Sequence, residues 1–310
     1  MEIDISSVFQ QMLILFLIMG LGYVANKTKI MSLESNKSLS KLVNCVTNPC
    51  NILYSALCND HSLGNREVLG LLGLACGMYV VLTLLAQLVP RLLHVPKEQR
   101  GQYKFMMIFS NVGYMGIPVV SAIFGDGAVF YVSIIIMVFF VFIYTYGIYL
   151  ICGGQSGAGF QLKELVTPMM ISSVLGLVFY FLNVRMPVVV TGTLDVLRQV
   201  TTPCAMLIIG CALAAVPLGS IFKNWRLYVV SVLKLLVIPV ATYFLLRPFV
   251  TNTVVLGVFV AIMGTPVATN FTMLSAQYDR DQKLASASIF ITTLLSVGTI
   301  PLLIWLLFVR

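Results

Sequence analysis

Ten apolar runs of about twenty residues, joined by short polar connections, leave this chain few folds to choose from. They cover residues 8–25, 39–58, 68–89, 103–123 and 128–151, then 165–183, 196–215, 227–246, 253–275 and 284–308. In hydrocarbon every backbone polar group needs an internal partner, so runs of this kind predict transmembrane helices. The whole-chain balance agrees, since 59% of the 310 residues are hydrophobic and only 10% charged. A net charge of +8 would suggest nucleic acid in a soluble chain. Here it has a different source, and no nucleic-acid partner is expected. Before the first run stand Glu2 and Asp4, where a signal peptide carries basic residues, so that run reads as a retained span.

The basic residues fall unevenly on alternate connections. One set holds Lys27, Lys29, Lys37, Lys41, Arg91, Lys97, Arg100, Lys104, Lys163, Lys223, Arg226, Arg280 and Lys283. The other holds Arg66, Arg185, Arg198, Arg247 and Arg310. The positive-inside rule places the first set in the cytoplasm. With an even number of spans, both termini are then extracytoplasmic in a multi-pass protein of the cell (plasma or inner) membrane. The seven cysteines show no paired C-x-x-C spacing and sit mostly in apolar runs. They read as packing residues, and no disulfide framework, metal or other cofactor is expected.

Two pairs of motifs recur in order. Val46-Thr47-Asn48-Pro49-Cys50 in the second run returns as Val200-Thr201-Thr202-Pro203-Cys204 in the seventh, and Gly116-Ile117-Pro118 in the fourth returns as Gly264-Thr265-Pro266 in the ninth. Both offsets are close to half the chain. Each repeat then holds five spans, and an odd number forces the second copy to insert upside down. The division is 1–152, a short cytoplasmic connection at 153–163, and 164–310. The run Ser110-Asn111-Val112-Gly113-Tyr114-Met115-Gly116-Ile117-Pro118 makes an unbroken fourth helix implausible, because glycine and proline both disfavour helix interiors. Broken backbone at bilayer depth is tolerated only inside protein or beside a cavity, and paired breaks in inverted repeats point to a secondary transporter with a midplane site. Pro118 and Pro266 each suit the first position of a new half-helix. Two such N-termini facing one point would cradle an anion without a charged side chain. Asn111 and Asn270 could donate to a carboxylate, help hold a cation, or only cap freed backbone.

The pattern N-x-G-Y-x-G-x-P at residues 111–118 resembles the fourth-helix signature of the auxin efflux carrier family. The ninth-span run Gly264-Thr265-Pro266-Val267-Ala268-Thr269-Asn270, continuing into Ser275-Ala276-Gln277-Tyr278, is similar to the same family, as are Leu21-Gly22-Tyr23, the Pro49 helix and Thr292-Thr293-Leu294-Leu295-Ser296 with Pro301. The resemblance covers essentially the whole chain. It implies an all-α polytopic fold of ten transmembrane helices in two inverted five-helix repeats, with helices 4 and 9 broken and crossing. It also implies transport of small organic anions, such as carboxylates in bacterial members and auxin in plant ones. The central connection lacks the long hydrophilic loop of the plant carriers, which points away from auxin.

The candidate substrate-binding set is Asn111, Gly113, Tyr114, Gly116 and Pro118 from the fourth span, Thr265, Pro266, Thr269 and Asn270 from the ninth, and Lys234. Lys234 stands out as the lone charge deep in a span, at a depth where insertion costs about 2.5–3.5 kcal/mol. It either serves an anion or bonds carbonyls freed by Pro239. Asn48 and Asn51, one turn apart beside Pro49, form a candidate cation or secondary polar site. Gly73 and Gly77 read as a close-packing G-x-x-x-G pair. All eleven carboxylates map to connections or span ends, so no intramembrane acid is at hand for a proton relay. Na⁺ and H⁺ remain candidate coupling ions, and a homodimer is the candidate assembly. Two other readings are a sodium-coupled symporter of bile-acid-like anions and a membrane receptor without transport. An enzyme is not expected, for the spans hold no Asp pair, Ser–His pair or H-E-x-x-H.

Overall fold

The computed structural model describes residues 5–58, 64–153, 166–215 and 224–308. The central connection 153–163 lies outside them except for Gly153. Among the described residues every regular element is helical, and the one extended pairing is a single antiparallel bridge between Ser110 and Val267. The first half holds α1 (Ile5–Lys27), α2 (33–57), α3 (Asn65–Leu85), α4 (Arg100–Ile108), α5 (Val112–Phe124) and α6 (Asp126–Ile151). The second holds α7 (Pro168–Phe181), α8 (Val188–Ala214), α9 (Trp225–Leu246), α10 (Thr253–Met263), α11 (Asn270–Gln277) and α12 (Gln282–Phe308). Thus α4 and α5 are halves of the expected fourth span, and α10 and α11 halves of the ninth. Among the described residues, six helical stretches, at α1, α3 with the turn after it, α6, α8, α9 and α12, are long and apolar enough to cross a membrane. The outer surface carries exposed Leu17, Leu84, Phe244 and Trp305, side chains that suit a hydrocarbon solvent and not water.

Three prolines inside these helices are accommodated in the same way, whereas Pro301 stands in α12 without such a turn. Pro49, Pro118 and Pro239 each stand two residues beyond a π-helical turn, at Val43–Thr47, Val112–Gly116 and Leu233–Val237. Proline has no N–H to give, and its ring crowds the carbonyl four residues back. Widening the preceding turn, as in the bond from the Ile117 N–H to the Val112 carbonyl, relieves that clash without ending the helix.

Helix packing separates two groups. α1 lies along the second half of α8, and α2 lies along α7 and the first half of α8. The α1–α8 contact is close because both helices offer glycine there. A Cβ on Gly210 would stand 1.9 Å from the Met19 carbonyl oxygen, and one on Gly22 would stand 2.4 Å from that of Leu207. The expected pair Gly73 and Gly77 behaves otherwise, with open space beside both. The remaining helices gather around the two breaks, where Phe105 stacks on Phe271 with ring centroids 4.8 Å apart.

Candidate functional site

At the crossing the two interrupted helices complete each other's backbone. α4 ends at Ile108, and Phe109 turns extended (φ −100°, ψ 113°). On the other side, α10 ends at Met263 and the chain runs non-helically to Asn270. The Asn111 N–H donates to the Pro266 carbonyl at 2.8 Å, and the Ala268 N–H donates to the Phe109 carbonyl at 3.0 Å. The Val267 N–H finds the Thr292 hydroxyl at 3.2 Å. Buried backbone that has left a helix thereby keeps its partners.

The break lies earlier than the glycines and Pro118 suggest. Helix resumes at Val112, so Gly113, Gly116 and Pro118 are helical, and Pro118 is not the first residue of the half-helix. Pro266 likewise sits in the extended segment, ahead of the new helix at Asn270. The physical reason is the π turn, which lets Pro118 sit inside a helix. Both asparagines consequently fall at half-helix N-termini: Asn111 at the N-cap of α5 and Asn270 as the first residue of α11. The Asn111 side chain makes no capping bond, and its buried Nδ2 has no partner.

A cavity of about 210 Å³ lies against the bridge. Of the expected residues, Asn111, Gly113, Tyr114 and Asn270 line it, whereas Gly116, Pro118, Thr265, Pro266, Thr269 and Lys234 do not. Gly116 serves packing, since a Cβ there would stand 2.5 Å from Ile262 Cδ1. Thr265 is turned to its own helix, its hydroxyl donating to the Ile262 carbonyl at 2.7 Å. The wall also includes Asn44, Ser110, Thr167 and Met169, none of them in the expected set. Asn44 donates to the Tyr114 hydroxyl at 2.6 Å. Its spacing to Asn48 and Asn51 (i, i+4, i+7) places all three on one face of α2, a signal that could have found it. No charged side chain lines the cavity among the described residues.

Two expected groups sit just behind this wall. Lys234, in the π turn of α9, is 0% exposed. Its Nζ donates to Ser110 Oγ at 2.7 Å and to the Met107 carbonyl at 3.3 Å. The carbonyl it meets belongs to the end of α4 and not to the turn before Pro239. Asn48 and Asn51 are buried, with Asn48 Nδ2 3.8 Å from the Met169 sulfur and both Oδ1 atoms unpartnered.

Residues 7–158 and again residues 155–304 match the family described as membrane transport protein. The chain is 30% identical to a "Putative malonate transporter" of Rhizobium meliloti over 66% of each of the two chains. It is also 24% identical to an uncharacterized transporter of Methanocaldococcus jannaschii, over 95% of this chain and 97% of that one.

Proposed function

Since the chain belongs to the membrane transport protein family, the auxin efflux carriers, we propose that it carries small organic anions, carboxylates of about malonate size, by alternating access at the crossing of α4–α5 and α10–α11. The observation that carries this reading is the Asn111 side chain, a buried amide with an unpartnered Nδ2 on the wall of an uncharged cavity. An unmade bond on a buried donor is costly unless something arrives to accept it. Beside it stand two half-helix N-termini, each worth about half a positive charge. Asn270, Gly113 and Tyr114 complete the substrate contact, with Gly116, Pro118, Thr265, Pro266 and Thr269 holding the crossing in shape.

The cavity size supports a small substrate over a bulky amphipathic one, for drug-sized ligands take about 300–1,000 Å³. The resemblance to a chain named for malonate points the same way. Ten spans in two inverted repeats, divided at 153–163, is the architecture this reading uses. Two features support it: the family matches each half separately, and packing of α1 with α8 has its counterpart in packing of α7 with α2. Thirteen basic residues then face the cytoplasm, both termini lie outside, and the cavity lies on the cytoplasmic side of the crossing.

Uptake of radiolabelled malonate, succinate and acetate into liposomes holding the purified protein tests the function. Saturable uptake of at least one carboxylate is expected. Binding without uptake would make the protein a receptor instead.

A further inference from the structure

The end of α4 is a place where a free cation would be expected. The last carbonyls of any helix lack intrahelical partners and carry roughly half a negative charge. In carriers with interrupted helices such ends commonly hold Na⁺. Here the position is taken by a side chain. Lys234 Nζ lies 3.3 Å from the Met107 carbonyl, in the last turn of α4, and 2.7 Å from Ser110 Oγ.

The polarity of that second bond has a consequence. An ammonium has three donors and no acceptor, so Ser110 must accept from it. The serine's own O–H is thereby left to donate elsewhere. It makes no other hydrogen bond among the described residues, and Ser110 lines the cavity. Nor does Lys234 meet a carboxylate: among the described residues the ion pairs are those of Arg198 with Asp126 and Asp195. A fully buried ammonium without a counter-charge is unfavourable, and an anion one hydroxyl away supplies it.

We propose that the Lys234 ammonium is a tethered cation of the anion site: it closes the carbonyl end of α4 in place of a coupling Na⁺, and it fixes Ser110 as a hydrogen-bond donor to the bound carboxylate. This rests on the anion-carrier reading above. Lys234 is accordingly a positioning residue, acting through Ser110, and the carrier has no requirement for Na⁺.

The test uses purified full-length protein, malonate as the anion and methylammonium as a stand-in for the missing side-chain end. Malonate uptake by the wild type is expected to be equal with Na⁺ or choline in the buffer, and its melting temperature unchanged by Na⁺. Lys234→Ala should bind malonate at least tenfold more weakly and recover part of that loss in methylammonium, but not in choline. Methylammonium should also raise the melting temperature of Lys234→Ala and leave that of the wild type alone. Ser110→Ala should lose malonate binding to a similar degree, with Ser110→Thr restoring it. If Lys234→Ala does not fold, Lys234→Met and Ser110→Ala carry the binding measurement. Uptake that needs Na⁺, or malonate binding of wild-type strength in Lys234→Met, overturns the proposal. Should the wild type take up no carboxylate at all, the carrier reading fails. The melting-temperature comparison needs no substrate and still decides whether the lysine fills a cation site.

Discussion

At the scale of single residues, the crossing is governed by which polar atoms are left without partners. Asn111 is the clearest: its backbone N–H is held by Pro266, while its side-chain Nδ2 is buried and free. If that amide receives the carboxylate, Asn111→Ala should weaken malonate binding by roughly 1–3 kcal/mol with little change in melting temperature. Equal affinity in a folded Asn111→Ala protein, measured by calorimetry, would remove the residue from the site. That Asn111, Gly113, Tyr114 and Asn270 stand beside the break, on the cavity wall, was legible in the sequence because polar and small residues cluster there in the broken runs. Lys234 was legible as the buried charge, whereas Ser110 stood in the broken run without being singled out. Their bond was not legible, because no local pattern brings residues 124 positions apart to 2.7 Å. Thr167 and Met169 gave no signal at all, being ordinary residues at the start of α7.

At the scale of elements, periodicity and turn chemistry located the helices well, since long apolar runs dictate helix wherever backbone must satisfy itself. They located the breaks less well. Pro118 reads as a helix start, yet the π turn ahead of it lets the helix begin at Val112, six residues earlier. Whether a proline ends a helix or follows a widened turn depends on the packing around it, which a local motif does not encode. Glycine pairs show the same gap. Gly73 and Gly77 carry the recognised spacing but touch nothing, whereas Gly22 and Gly210, without it, join α1 to α8 at backbone distance. Gly210→Val must therefore push the two helices apart, and a loss of about 1–3 kcal/mol is expected, seen as a clear drop in melting temperature. Gly73→Ala, facing open space, should stay within about 0.5 kcal/mol of the wild type. The reverse ranking in a thermal melt would mean that α3 is packed against a second copy in the membrane.

At the scale of the whole molecule, the proposed alternating access requires one end of the crossing to open while the other is closed. The cavity opens beside the first halves of α2 and α5, at Asn44, Gly113 and Tyr114. The opposite end of the same two helices is tied. Tyr54 lies ten residues beyond Asn44, about 15 Å further along α2, and its ring packs under the Arg198 guanidinium at 4.2 Å. Arg198 also holds Asp126, just past α5, at 2.6 Å and Asp195 at 2.7 Å. The Asp126 link joins the turn after α5 to α8, and so connects the group of helices around the breaks to the group formed by α1, α2, α7 and α8. We expect this link to act as the latch of the closed end, broken whenever the site turns to face the other way. Half-exposed ion pairs contribute modestly, commonly about 0–1 kcal/mol, which is the size needed to bias two states without locking either. Asp126→Asn keeps the shape and removes the charge, so it should raise the population open at this end by a few-fold. Thr201, buried one turn deeper than Arg198, reports on that opening. In a background without native thiols, a cysteine in place of Thr201 should react severalfold faster with an impermeant thiol reagent when Asp126→Asn is present. Cysteines replacing Arg247 and Lys97 give the sidedness in the same cells, the first reacting from outside and the second protected. Labelling at position 201 that is indifferent to Asp126→Asn would leave the ion pair as a surface contact with no part in the cycle.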